Sequence, residues 1–417
     1  MVNLLHPPIQ LATVLLFISC SSQANSELVL QLDSSLRYES NPFRFSDDAA
    51  VLATFGRETR SDRVLANDVR FSVTHSLDSP ETRLVFDGQL GTRNYARLAE
   101  LDHKPYAYRA GLEWRAGQLW RGAVFHSQDQ KLFDYQDGTL TARERIHRSA
   151  DTVEASLRVT PDIEIPLAFK KQRFAYDLQR NSFNESEEQS IDVGMAWGSG
   201  TTSKLRGGAR STGVRFISRT AAQKADLDDE YRDDELYFET DWQYSTKTRF
   251  GGRIAALRRE YASLSALNFS AATATATLDH DYSPKTKVRF EAWRRPSDAT
   301  NASTLYSLIH GSQLSFRWQA TPKARLSMQV AKERDRYQTT LSFAGPSNPV
   351  LSRVRWGAGF TYAVSRDLSL NVDGSTEELT RGDLGAAISQ YTLLVGVEYT
   401  FENISGLARR AGLGARR

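Results

Sequence analysis

The chain has 417 residues, 25% of them charged, with a formal net charge of +3 and a single cysteine. Basic residues are dispersed rather than gathered into a patch, which excludes a nucleic-acid binder of the usual kind. A mean hydropathy of −0.47, with no apolar run near the ~18 residues a membrane helix needs, excludes a helical membrane protein but not a barrel with a wet interior.

In chain order, Leu11 to Ile18 is an apolar core too short to span a bilayer, and Ser22-Gln-Ala24 is a small-x-small cleavage site, so residues 1–24 are expected to be a signal peptide. The leading segment offers only His6 and the terminal amine as positive charge. Phe17-Ile-Ser19 before Cys20 is a poor lipoprotein box, which argues against lipidation of Cys20. After cleavage no cysteine remains, so neither a disulfide, a thiol nucleophile nor a cysteine-ligated metal is expected.

From Glu27 to Phe401 one unit repeats: an alternating strand, a tight turn, a second alternating strand and a longer polar loop. Early examples are Leu28/Leu30/Leu32/Leu36/Tyr38, then Val69/Phe71/Val73 and Tyr106/Tyr108/Ala110/Leu112/Trp114. The tight turns are marked by composition at Asp78–Glu81, Ala116–Gln118, Thr160–Asp162, Gly198–Gly200, Ser245–Lys247, Ser283–Lys285, Thr321–Lys323 and Val364–Asp367. Strands near 119–127, 202–210 and 249–257 alternate less regularly. The pattern predicts an all-β, antiparallel outer-membrane barrel over residues 25–401, with about 18 strands and 16 as the alternative. Seven of the nine descending strands carry an aromatic near their lower end: Trp114, Trp197, Tyr244, Tyr282, Trp318, Tyr362 and Phe401. One fixed height for such rings is what a bilayer interface selects. Polar loops are expected at 40–62, 128–147, 174–188, 217–233, 295–304, 335–349 and 379–388, with the short turns periplasmic and these loops outside.

Little points to catalysis. His75, His280 and His310 share the parity of their strands' apolar residues, His103 and His147 sit in or beside loops, and His126 is ambiguous. In Asp279-His280-Asp281 alternation sends the histidine away from both aspartates. The run Asp226-Leu-Asp-Asp-Glu230 with Asp233-Asp-Glu235 lacks calcium-loop spacing and reads as a solvated outer loop. Gly207-Gly208 and Gly251-Gly252 read as strand glycines that ease packing. The chain is therefore expected to be no enzyme, with no cofactor and no metal. Alternation instead predicts a charged lumen, whose candidate lining is Arg70, Arg83, Asp87, Arg109, Glu113, Arg158, Glu239, Asp241, Arg253, Asp279, Asp281, Arg289, Arg317, Arg353 and Arg355. A wall of mixed sign suits a hydrated polar solute better than an ion filter.

The strand Tyr391 to Phe401 ends on Gly396-x-x-Tyr399-x-Phe401, which resembles the assembly signal read by the barrel-assembly machinery. Residues 402–417, with Arg409-Arg410 and Arg416-Arg417, are expected to form a basic, disordered periplasmic tail. Finally, Tyr38-Glu-Ser-Asn-Pro-Phe-Arg44, Ser61-Asp62, Leu119-Trp-Arg-Gly122 and Gln130-Lys-Leu-Phe-Asp-Tyr135 resemble the EpsL-type barrels of exopolysaccharide operons. The resemblance implies an outer-membrane channel that exports an exopolysaccharide chain, working with a periplasmic polysaccharide export partner. The barrel reading alone leaves two alternatives open, a general or sugar-uptake porin and a structural or adhesive barrel with a plugged lumen. Outer-membrane lipid and lipopolysaccharide are the expected surroundings, and no nucleic acid is expected.

Overall fold

A computed structural model of the chain describes residues 26–45, 47–56, 58–77, 81–133, 143–198, 202–297, 304–339, 350–381 and 387–403. The expected signal peptide with Cys20, and the tail beyond Asn403, lie outside these residues. Eighteen antiparallel strands form one sheet, and β1 pairs with both β2 and β18, so the sheet closes on itself. The strands are β1 (Ser26–Glu39), β2 (Asp62–Ser76), β3 (Arg83–Tyr95), β4 (Tyr106–Ala116), β5 (Trp120–Leu132), β6 (Arg145–Thr160), β7 (Ile163–Tyr176), β8 (Ser186–Trp197) and β9 (Lys204–Phe216) in the first half. The second half holds β10 (Glu230–Ser245), β11 (Thr248–Tyr261), β12 (Phe269–Ser283), β13 (Thr286–Ser297), β14 (Thr304–Gln319), β15 (Ala324–Thr339), β16 (Val350–Ala363), β17 (Leu368–Arg381) and β18 (Ala387–Glu402). The count is 18, and the 16-strand alternative is ruled out.

Across each short turn a strand pairs with its sequence neighbour because a two- to six-residue reversal leaves no other partner in reach, and the longer connections at the other end join strands that are also ladder neighbours. Five of the short turns share a device that the sequence spells out: a Ser or Thr hydroxyl accepts the N–H two residues on. The pairs are Thr160 with Asp162 (3.3 Å), Ser245 with Lys247 (3.2 Å), Ser283 with Lys285 (3.2 Å), Thr321 with Lys323 (3.3 Å) and Ser365 with Asp367 (3.3 Å). Gly117 and Gly198 make two further turns with φ of 62° and 82°, where a side chain would be strained.

The register puts the apolar set on one face all round the barrel. Leu32, Val69, Leu84, Val124, Ile191, Leu236, Ile254, Leu314, Val330, Trp356, Val372 and Leu393 are all exposed on that face, while the opposite parity carries the charges. An exposed apolar band on a closed barrel is a lipid-facing surface. The aromatics at the short-turn end also point outward. Trp197, Tyr244, Tyr282, Trp318, Tyr362 and Phe401 are exposed, and Trp114 lies over Gly122, where a Cβ would come within 2.5 Å of its ring.

At the long-loop end the strands run further than expected. The loop read at 128–147 shrinks to 133–144, and that at 174–188 to 177–185. Polar residues such as Lys171 and Gln189 continue the ladder above the apolar band, because backbone pairing does not require a dry face. Two helices, α1 (Asp48–Phe55) and α2 (Ala221–Leu227), stand where only irregular loop was expected. Asp47 caps α1 at the Ala50 N–H, and Thr220 with Gln223 forms a capping box on α2. Among the described residues no helix is long and apolar enough to cross a membrane.

Candidate functional site

The inner wall is built from cross-strand pairs of opposite charge. Arg83 meets Glu113 at 2.6 Å, Asp87 accepts from the Ser72 hydroxyl at 2.6 Å, and Arg109 lies 3.4 Å over the Phe125 ring. Arg158 reaches Glu164 at 3.4 Å, Asp241 pairs with Arg249, and Glu239 sits between Arg253 and Arg206 in the register. Arg289 bridges Asp279 and Glu291, each at 3.6 Å, and Asp281 meets Lys287 at 3.3 Å. Arg353 and Arg355 share Glu333 at 3.9 and 3.0 Å. Arg70 faces Gln31 and Gln89, and Arg317 stands beside Lys287 without an acidic partner among the described residues. All fifteen candidate residues thus occupy the charged, inward parity.

One sector of this wall is denser in arginine. On β8, Asp192 is buried and accepts from Arg206 (2.7 Å), Arg210 (2.9 Å) and the Tyr237 hydroxyl (2.7 Å). Arg253 lies 4.4 Å over the Tyr237 ring and reaches Glu235 at 3.0 Å. Tyr237 can cross β9 only because Gly208 leaves the space; a Cβ there would sit 2.6 Å from its hydroxyl. Just above, Arg259 is bidentate to Asp233, both bonds at 2.7 Å, and stacks 3.8 Å over Tyr231. Arg210, Tyr231, Asp233, Glu235, Arg253 and Arg259 of this sector border a recess of about 380 Å³ open to the lumen, with Val214, Leu257, Thr273 and Thr275 in its wall.

The opposite sector is roofed. Asn41 clamps Phe45 from both sides, its amide donating to the Phe45 carbonyl (2.8 Å) and its oxygen accepting the Phe45 N–H (2.9 Å). This turn sets Arg44 at φ 56° and aims it into the lumen, where it meets Glu377 of β17 at 2.7 Å and Gln390 of β18 at 3.3 Å. Phe43, Phe45 and Val51 pack with Leu98 and Leu101 of the β3–β4 connection and against Tyr95, Leu132 and Phe133. The first connection is therefore pinned on both sides of its own hairpin. Beneath it the inward positions turn apolar: Val64, Ala66 and Leu379 are each 1% exposed.

Three buried carboxylates tie neighbouring connections together at this rim. Asp62 accepts the N–H groups of Arg97 (3.0 Å) and Leu98 (2.7 Å), Glu144 those of Leu178 (3.0 Å) and the Asn181 amide (2.8 Å), and Asp228 those of Ser263 (2.6 Å) and Leu264 (2.8 Å). The acidic run near 226–235 is thus no solvated loop. Asp228 is a clamp, Asp233 and Glu235 face inward, and Glu230 and Asp234 face out. Burial pushes the Asp228 carboxyl up, but the backbone N–H groups it accepts outweigh this and hold it below the usual carboxylate range.

The strand histidines point away from the lumen, whereas His103 is bridged to the inward-facing Arg93. His75 and His280 face outward against Ser26 and Thr248, at 2.8 and 2.9 Å, and His126 meets Asp151 at 2.7 Å on the outer face. Among the described residues no group of three or more His, Cys, Asp or Glu could hold a metal. At the closing seam Gly396 faces inward under Ser35, whose Cβ would lie 2.9 Å from an added Cβ, and Tyr399 and Phe401 face lipid.

Solved structures of the same fold include OccAB3 of Acinetobacter baumannii, with 10% identity and a TM-score of 0.51, covering 91% of this chain and 100% of that one. OccK9 (OpdG) of Pseudomonas aeruginosa matches with 8% identity and a TM-score of 0.51 over 90% and 99%. OccK2 (OpdF) of Pseudomonas aeruginosa matches with 9% identity and a TM-score of 0.52 over 91% and 99%. At such identities the likeness shows the fold, that of outer-membrane porins. With its lipid-facing band, the barrel belongs in the bacterial outer membrane. No model of a known protein family matches the chain, and no curated protein matches its sequence.

The expected kinship with EpsL-type barrels is overturned by these neighbours, which are porins of the Occ/Opd group. With it falls the expectation of exopolysaccharide export. The strings behind that resemblance have structural work at the rims. Asn41 shapes the Arg44 turn, Asp62 clamps the next connection, and Leu119 accepts the Arg158 N–H at 2.8 Å beside a short turn.

Proposed function

We propose that this barrel is a porin for small hydrated solutes, admitting them across the outer membrane by diffusion. The observation that carries the reading is the inner wall itself, where acids and bases alternate as cross-strand pairs around a wide closed barrel. Such a wall solvates a polar solute along its path, while its alternating sign gives no long-range preference for one ion. An 18-strand barrel is wide enough for an aqueous channel when its interior is not filled. The roofed sector narrows the long-loop mouth and makes passage of a thick polymer less fitting than passage of single sugars or organic acids.

Two related folds support the size class. OccK2 (OpdF) of Pseudomonas aeruginosa was crystallised with glucuronate and OpdK of the same organism with vanillate, both carboxylates. Here the recess beside Arg210, Arg253 and Arg259, with Asp233 and Glu235 opposite, offers guanidinium donors and carboxylate acceptors side by side. That set matches a carboxylated or polyhydroxylated small molecule. Liposome swelling tests the proposal. Purified protein should let glucuronate and monosaccharides enter at rates that fall with size. Swelling rates equal to protein-free liposomes would reject it in favour of a plugged structural barrel.

A further inference from the structure

The outer surface at the long-loop end is uneven in charge. Over β9–β11 its outward cations are matched: Arg215 meets Glu230 at 3.2 Å, Arg232 meets Asp234 at 2.9 Å, and Arg258 pairs with Glu260. Over β13–β15 nothing of the kind occurs. Arg294, His310 and Arg334 are direct partners in consecutive ladders, with Lys332 and Arg336 flanking Arg334 on the same face of β15. Outward positions of these three strands carry no Asp or Glu. Among the described residues Arg294, Lys332, Arg334 and Arg336 make no ion pair, and the three on β15 are exposed.

Like charges set directly opposite one another repel and cost stability. The cluster also sits just above the lipid band: on β15 Val330 and Met328 follow Lys332 at the next outward positions, and on β13 and β14 Phe290 and Leu314 follow after Ala292 and Ser312, all four large apolar side chains being exposed. The long-loop rim is the outer rim in barrels of this kind, so the cluster stands at the headgroup level of the outer leaflet. Three guanidinium groups, an ammonium and an imidazole at that level match a phosphorylated headgroup, for arginine forks donate to phosphate in pairs. Basic side chains at a membrane surface recognise anionic lipid by the same chemistry.

We propose that Arg294, His310, Lys332, Arg334 and Arg336 form a binding site for the phosphate-bearing headgroup of lipopolysaccharide, holding one lipid against β13–β15. The site fixes the azimuth of the barrel in the leaflet and offsets the repulsion within the cluster. The unlike faces give a built-in control, because β9–β11 carries as many outward arginines with their charge already matched.

The test uses the full-length barrel refolded in detergent, titrated with purified lipid A and followed by its thermal unfolding. Lipid A should raise the unfolding temperature of the native protein. R294Q/K332Q/R334Q should need at least about tenfold more lipid for the same rise, a loss of about 1.4 kcal/mol. R215Q/R232Q/R258Q, altered on the matched face, should respond as the native protein does, which separates a lost site from a damaged fold. Dephosphorylated lipid A should give no rise. Equal responses from both variants, or from phosphorylated and dephosphorylated lipid, would overturn the proposal. So would an equal rise from inorganic phosphate alone, which would mark a free-anion site.

Discussion

Two sectors of the same inner wall differ in what covers them. From β17 round to β3 the first connection lies against the long-loop end of the wall, where the inward positions Val64, Ala66, Leu379 and Ile388 are apolar and buried, beside the charge pairs Arg93–Asp68 and Arg37–Glu39. From β8 to β16 the wall is open and its inward positions hold paired charges, as at Arg253 with Glu235 and Arg355 with Glu333. The parity is the same in both. What differs is whether protein or water lies on the inner side, and the residues follow that difference as they do in any core.

The largest expected effect comes from removing the cover. Replacing residues 46–58 with a short glycine-serine linker should raise single-channel conductance roughly twofold or more, since conductance follows the open cross-section. An unchanged conductance would mean that the first connection does not narrow the path. Next, a charge placed under the cover should be far costlier than one in the open wall. Val64→Asp should lower stability by about 3 kcal/mol or more, through burial of an unpaired carboxylate. Thr275→Asp, which borders the open recess, should stay within about 0.5 kcal/mol. Urea unfolding of both variants in lipid vesicles measures the contrast, and similar losses would erase it.

A smaller effect is expected at the rim clamps. Asp228→Asn keeps the shape but loses the charge that the Ser263 and Leu264 N–H groups satisfy, and should cost about 1–2 kcal/mol. Because the folded carboxyl lies below its unfolded value, this contribution is present above the unfolded pKa and is lost as pH falls through the folded one. Hydrogen exchange at residues 262–268 should therefore be flat near neutrality and rise only in acid below about pH 4. A rise near pH 6 would show that some other group controls the clamp. Least of all, Tyr237→Phe removes one donor to Asp192 while Arg206 and Arg210 remain, and should cost about 1 kcal/mol in the same urea assay.

The two rims also differ in how far the amino-acid sequence foretells them. At the short-turn rim the instruction is local: in five turns a Ser or Thr hydroxyl accepts the N–H two residues on, in two a glycine takes a positive φ, and most of the strands running into the turns end on an outward aromatic. The six expected turns that lie within the described residues stand at the ends of the strands they were expected to join; those at Asp78–Glu81 and Gly198–Gly200 fall largely outside the described residues. At the long-loop rim the information is not local. Asp62, Glu144 and Asp228 look like ordinary loop acids, and only the fold shows that each reaches a connection about 35 residues further on. The Asn41–Phe45 clamp reads as a loop for the same reason, and α1 lacks the apolar stripe that would have announced it. One signal was available. Val64, Leu379 and Ile388 break the alternation by placing apolar side chains inward, and in a wet barrel such residues mark where something covers the wall. The charged lining was legible from parity alone, whereas the Tyr237 bridge to Asp192 was not, because it depends on the gap at Gly208 one strand away.

Planar-bilayer recording of the purified barrel across a tenfold gradient of potassium chloride tests the central claim most directly. A porin with a mixed-sign wall and one covered sector should give discrete conductance steps whose current reverses close to zero voltage. A folded barrel that gives no steps, or one whose current reverses near the Nernst potential of a single ion, would contradict the account.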